Sequence, residues 1–148
     1  MPRIRRRSVS EHELQAGIVQ AIRLKFRQVL VYAVPNGGSR GLVEGGRLKA
    51  EGVTPGIPDL ALVLPDGRAA FLEVKTPEGQ LRPEQRRFGE WAHLRGIPWA
   101  VVRNLDQALD ALTSWLSDDP SRVDGPTGGG STAPATFLEQ AGATRAPV

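Results

Sequence analysis

Apolar positions along this chain follow two different periods. Leu14, Ile18, Val19, Ile22 and Phe26 recur every three or four residues, which predicts an amphipathic helix running to about residue 27. Ser10 is a good N-cap for it, and Glu13 stands three residues later, at the capping-box position. On the helical wheel Glu11 and Gln15 share the face of Ile18 and Ile22, whereas Glu13 points nearly opposite. Glu13 is therefore expected to cap the helix in solvent. Glu11 is expected to look inward, where a carboxylate needs something to satisfy it.

After the helix the period shortens. "QVLVYAV" (28–34) is β-branched and short, and reads as a first strand. Residues 35–58 hold seven glycines and three prolines, a long loop of the kind that is functional or disordered in a compact domain. Within it "EGGRLKAEG" is expected to form one or two helical turns. "DLALVL" (59–64) and "RAAFLEVK" (68–75) are strands joined by the turn "PDG", and so form an antiparallel hairpin. Pro83 suits the first turn of a helix over about 82–95, closed by Gly96. "IPWAVVR" (97–103) is a continuously apolar strand and is expected to be buried. Asn104 can cap a last helix with Leu105, Ala108, Leu109, Leu112 and Leu116 on one stripe. The element order predicts an α/β sheet flanked by helices. Residues 1–9 form a basic arm, 10–116 a single domain, and 117–148 a tail of unstructured composition. In that tail "FLEQ" (137–140) is read as unstructured chain in preference to a docking segment.

With 148 residues the chain has room for one core. The absence of cysteine excludes disulfides, cysteine-bound zinc and thiol chemistry. No run has the length of a membrane span and the start lacks the apolar stretch of a signal peptide, so a cytoplasmic protein is expected. Net charge is only +3, but residues 1–50 carry ten Lys/Arg against three Asp/Glu, and the remainder nine against thirteen. A basic third beside an acidic cluster points to a polyanion partner held against a metal site. Arg3, Arg5, Arg6 and Arg7 alone read equally well as a solubilising tail.

Asp59 begins one strand of the hairpin and Glu73 lies near the end of its partner, so chain reversal brings them together. Lys75, two residues on, points to the same face as Glu73. A divalent cation is the simplest group that makes such convergence favourable, and hard oxygen ligands favour magnesium or manganese. Singly, an Asp after proline is a turn cap and "ExK" a solvated alternation. Together with Glu11 they predict a metal site. His12 and His93 fall outside it by spacing, and Trp91, Trp99 and Trp115 are expected to fill core.

"PGIPDLALVL…AAFLEVK", with 13 residues between Asp59 and Glu73, resembles the PD-(D/E)XK nuclease motif. Within that superfamily the chain is similar to a stand-alone VRR-NUC domain of the short phage and bacterial type. "EHELQ", "PNGG", "LKAEGVTPGIPDL", "PEQRRF" and "GIPWAVVRN" occur in the family's order over about residues 10–113. The resemblance implies a restriction-endonuclease-like mixed four-stranded sheet and metal-dependent cleavage of phosphodiester bonds in DNA, branched or duplex. It implies that Asp59, Glu73, the carbonyl of Val74 and Glu11 hold Mg2+, with Mn2+ substituting. Lys75 would orient or deprotonate the attacking water and stabilise the transition state, and Gln85 would position that lysine or a water. Asn36, Arg40, Arg47 and Lys49 lie on the glycine-rich loop and are expected to contact phosphates. Coordinated cuts in a junction need two sites, so a homodimer is expected. The rivals are a nucleic-acid-binding module without cleavage activity and a restriction-type nuclease that reads sequence.

Overall fold

A computed structural model of the protein describes residues 8–35 and 42–118. Residues 1–7 of the basic arm, Asn36, Arg40 and the tail from residue 119 with its "FLEQ" segment lie outside the described residues. The elements follow one another as α1 (Glu11–Lys25), β1 (Leu30–Ala33), α2 (Leu42–Ala50), β2 (Leu60–Val63), β3 (Ala69–Val74), α3 (Pro83–Leu94), β4 (Trp99–Val102) and α4 (Leu105–Ser117). They make an α/β fold around a mixed four-stranded sheet in the order β1-β2-β3-β4. β2 runs antiparallel to both β1 and β3, and β4 runs parallel to β3. That change of direction follows from α3, which carries the chain back to the starting end of the sheet.

Local chemistry sets the element ends. Ser10 accepts from the Glu13 amide and Glu13 reaches back to the Ser10 amide at 3.0 Å, closing the expected capping box on α1. The N-cap Asn104 accepts from the Gln107 amide at 2.8 Å, and the turn after α3 is completed by Gly96 at φ 64°. α2 is nine residues long, more than the one or two turns read from sequence, because it begins at Leu42, ahead of the polar stretch.

The two faces of the sheet are covered differently. Val31, Leu60, Leu62, Leu72, Val74 and Val102 meet Ile18, Ile22, Ala108 and Leu112 in one cluster under α1 and α4. On the opposite face α3 covers β3 and β4, with Phe88 edge-on to Phe71 at 5.1 Å between ring centroids. Gly89 lets Trp99 approach α3, since a Cβ there would sit 2.5 Å from the indole. β4 is an edge strand and mostly half-buried, not the sealed strand that its continuous apolar sequence predicts. Nothing among the described residues pairs with its outer side. Leu105 is 39% exposed, which narrows the expected α4 stripe to Ala108 and Leu112 with Leu109 and Leu116 beside them. The three tryptophans are half-buried at the margins of the core. Among the described residues no helix is long and apolar enough to cross a membrane.

Candidate active site

The hairpin register places the first two acids. Leu60 pairs with Leu72, and continuing the ladder by one residue sets Asp59 opposite Glu73. Side chains at directly opposed positions share a face, and here it is the α3 face, since Phe71 two residues before Glu73 touches Phe88. Asp59 is tied to both neighbouring strands. Its carbonyl accepts from the Val34 amide at 2.8 Å, and its Oδ2 accepts from the Val74 amide at 2.8 Å. The loop before it is fixed by Gly56, whose φ is 84° and whose missing Cβ would stand 2.5 Å from the Glu84 carbonyl oxygen. A side chain has neither the conformation nor the room at that position.

Glu73 is only 1% exposed. Its Oε1 accepts from the Gln85 side-chain amide at 2.5 Å and lies 3.3 Å from Lys75 Nζ. Its Oε2 is buried and has no hydrogen-bond partner among the described residues. Burial, and after it the neighbouring Asp59 charge, push the Glu73 carboxyl up to about 7 against the opposing effect of Lys75. Lys75 is 9% exposed, and its amide donates to the Val102 carbonyl at 3.0 Å, the last bond before the chain leaves the sheet.

Gln85, on the first turn of α3, is 5% exposed. Its Oε1 accepts from the Arg82 amide at 2.8 Å, which leaves its amide nitrogen to donate to Glu73. It meets the carboxylate and not the lysine. Glu11 stands differently from the inward position expected of it. It does share a helix face with the buried Ile18 and Ile22, but its side chain is 48% exposed, with Oε1 4.0 Å from Lys75 Nζ. The first turn of α1 projects beyond the core, so its acid reaches the site from solvent. At that exposure the pair with Lys75 is weak, and the pair with Glu73 dominates.

Asp59, Glu73, Lys75, Glu11 and Gln85 thus gather at one end of the central strands. Arg47 and Lys49 lie on α2, both exposed, and Arg47 Nε pairs with Glu51 at 2.9 Å. His12 and His93 are exposed helix residues. Among the described residues, no cluster of three or more His, Cys, Asp or Glu side chains forms a ready-made metal cage. A cation here would take its side-chain ligands from Asp59 and Glu73 and complete its shell with backbone oxygen or water, a donor set suited to magnesium or manganese. The buried, unpartnered Oε2 of Glu73 fits such an ion, because a lone buried acceptor is costly until something satisfies it.

The sequence carried no local sign of two features. Gly56 acts through a contact distant in the chain. The bond from Gln85 to Glu73 depends on how α3 docks on the sheet.

The sequence matches the VRR-NUC domain over residues 4–104, a span that contains every group just described. A solved structure described as a VRR-NUC domain is similar with a TM-score of 0.50 and 24% identity, over 72% of this chain and 99% of its own. That likeness speaks for the fold. No curated protein matches the chain.

Proposed function

The chain belongs to the VRR-NUC family of nuclease domains, and from that premise we propose that it is an endonuclease hydrolysing DNA phosphodiester bonds with Mg2+ or Mn2+. Asp59 and Glu73 would hold the cation, joined by the carbonyl of Val74 and, through water, by Glu11. When bound, the cation supplies Lewis acidity toward the phosphate oxygens. Lys75 presents a cationic donor beside Glu73, where it orients the attacking water and stabilises the charge that builds up in the transition state. Gln85 holds Glu73 in one orientation and leaves its second oxygen available. Arg47 and Lys49, exposed on α2, position the nucleic-acid backbone together with Asn36 and Arg40.

The single observation that carries this reading is the buried, unpartnered Oε2 of Glu73 beside Asp59. Two acids brought together by strand register, one of them sealed from water, are unfavourable without a cation and useful with one. Branched DNA is the substrate for which a homodimer matters, since each copy supplies one site. The test is a cleavage panel of duplex, single-stranded, flap and four-way-junction DNA with Mg2+, Mn2+ or EDTA. Cleavage that requires either cation supports the reading; equal cleavage in EDTA overturns it.

A further inference from the structure

Beyond Lys75 the chain leaves the sheet through residues 76–82 before entering α3. The first part of this loop is a tight turn, closed by the Gly79 amide donating to the Thr76 carbonyl at 3.0 Å. Its backbone also meets one cation. Nη1 of Arg103, the residue just after β4, donates to the carbonyls of Thr76 at 2.7 Å, Pro77 at 3.2 Å and Gly79 at 2.7 Å. Three carbonyls from four consecutive residues thus converge on a single guanidinium nitrogen. Hydrogen bonds from a charged donor are about twice as strong as neutral ones, so Arg103 ties the turn firmly, while farther along the loop Arg86 donates to the Leu81 carbonyl at 2.8 Å.

Pro77 and Glu78 of the same segment are exposed. A cavity of about 570 Å³ opens between the start of α1, residues 76–78 and the start of α4, and Arg103 lies on its wall. The other side of the turn faces the active site. A Cβ on Gly79 would stand 3.3 Å from Glu11 Oε1 and 3.1 Å from Thr76 Oγ1, so the Gly79 backbone lies against the Glu11 carboxylate. The turn is therefore tied to β4 by Arg103, joined to Lys75 by one peptide bond, and in contact with Glu11.

We infer that Arg103 is a positioning residue: by gathering the carbonyls of Thr76, Pro77 and Gly79 it fixes the turn that sets Glu11 beside Lys75. The inference rests on the proposed function in taking Glu11 and Lys75 as working groups. Among the described residues no hydrogen bond or ion pair joins the Arg103 side chain to either of them; its donors go to the turn. Its effect should therefore travel through Glu11, and a variant lacking Glu11's charge should be indifferent to it.

The experiment is a cycle of wild type, R103M, E11Q and the double variant, all as the full chain. Methionine keeps much of the stem and removes every donor. Amide hydrogen exchange in EDTA reports the turn. R103M should speed exchange at Gly79 while Lys75, bonded to Val102, stays protected. Unchanged exchange at Gly79 overturns the inference whatever the metal does. Mn2+ binding, followed by the electron paramagnetic resonance of the free ion, reports the site. R103M should weaken it, by no more than E11Q does because its effect travels through Glu11, and should add nothing in the E11Q background. An equal loss in both backgrounds shows that Arg103 acts elsewhere and overturns the inference. If wild type cleaves DNA but binds no Mn2+, the metal reading fails by itself, and the same cycle read on kcat decides the positioning role by the same criterion.

Discussion

Replacing Glu73 by glutamine should stabilise the metal-free protein at neutral and alkaline pH. In the unfolded chain this carboxyl ionises at the ordinary value of 4.5, and in the fold it is pushed up to about 7 by burial and the Asp59 charge. Between those values the folded protein holds a proton that the unfolded chain has released. Stability from this group is therefore complete below pH 4.5 and is lost as pH rises through 7. The separation of the two values corresponds to about 3 kcal/mol, a large share of the roughly 5–15 kcal/mol that holds a domain together. Glutamine fills nearly the same volume and carries no charge. Its oxygen can accept from Gln85 as Oε1 does now, and its amide group occupies the place of the unpartnered Oε2. Urea denaturation of both proteins in EDTA at pH 4.5, 6 and 8 measures the effect. The stability of E73Q relative to wild type should rise by about 3 kcal/mol across that range. Adding Mn2+ at pH 8 should stabilise wild type and leave E73Q nearly unchanged. Parallel pH curves for the two proteins would refute a buried, raised Glu73.

Other consequences separate residues by role. E11Q should lower cleavage at low Mg2+ and be partly rescued by Mn2+, while E13Q should cost about 1 kcal/mol of a helix cap with cleavage per folded molecule preserved; melting and rate measurements on both variants check this. G56A should lower stability by about 2 kcal/mol, because a side chain must adopt a left-handed backbone against the Glu84 carbonyl; urea denaturation reads it. R47A and K49A should each weaken DNA binding and reduce the salt slope of log K by about 0.9 per phosphate contact, as titrations from low to high salt will show.

The parts of the site that were legible in the sequence are those fixed by short-range geometry. The capping box at Ser10 and Glu13 is three residues long. The meeting of Asp59 and Glu73 depends on a hairpin whose tight turn leaves one register. Glu73 and Lys75 share a face because strands alternate. Elements defined by distant partners were less legible. β4 has the sequence of a buried strand, but no strand among the described residues pairs with its outer side, and a run of apolar residues does not disclose how many neighbours it has. The helical wheel gave the correct face for Glu11 but could not show that the first turn of α1 extends past the sheet. Gln85 drew notice through family resemblance, yet its bond to Glu73 depends on the docking of α3. Arg103 reads simply as a charge ending an apolar strand, and its three acceptors lie 24 to 27 residues away.

The most direct test of the central claim is single-turnover DNA cleavage by wild type, D59N and E73Q in saturating Mg2+, with binding to the same DNA measured in parallel. Each substitution removes a ligand charge and little volume, and E73Q is the variant expected to be more stable than wild type above pH 7. Both variants should bind DNA at least as tightly as wild type, since repulsion of the phosphates falls, and neither should cut it. Cleavage near the wild-type rate in both variants would contradict a metal site built on Asp59 and Glu73.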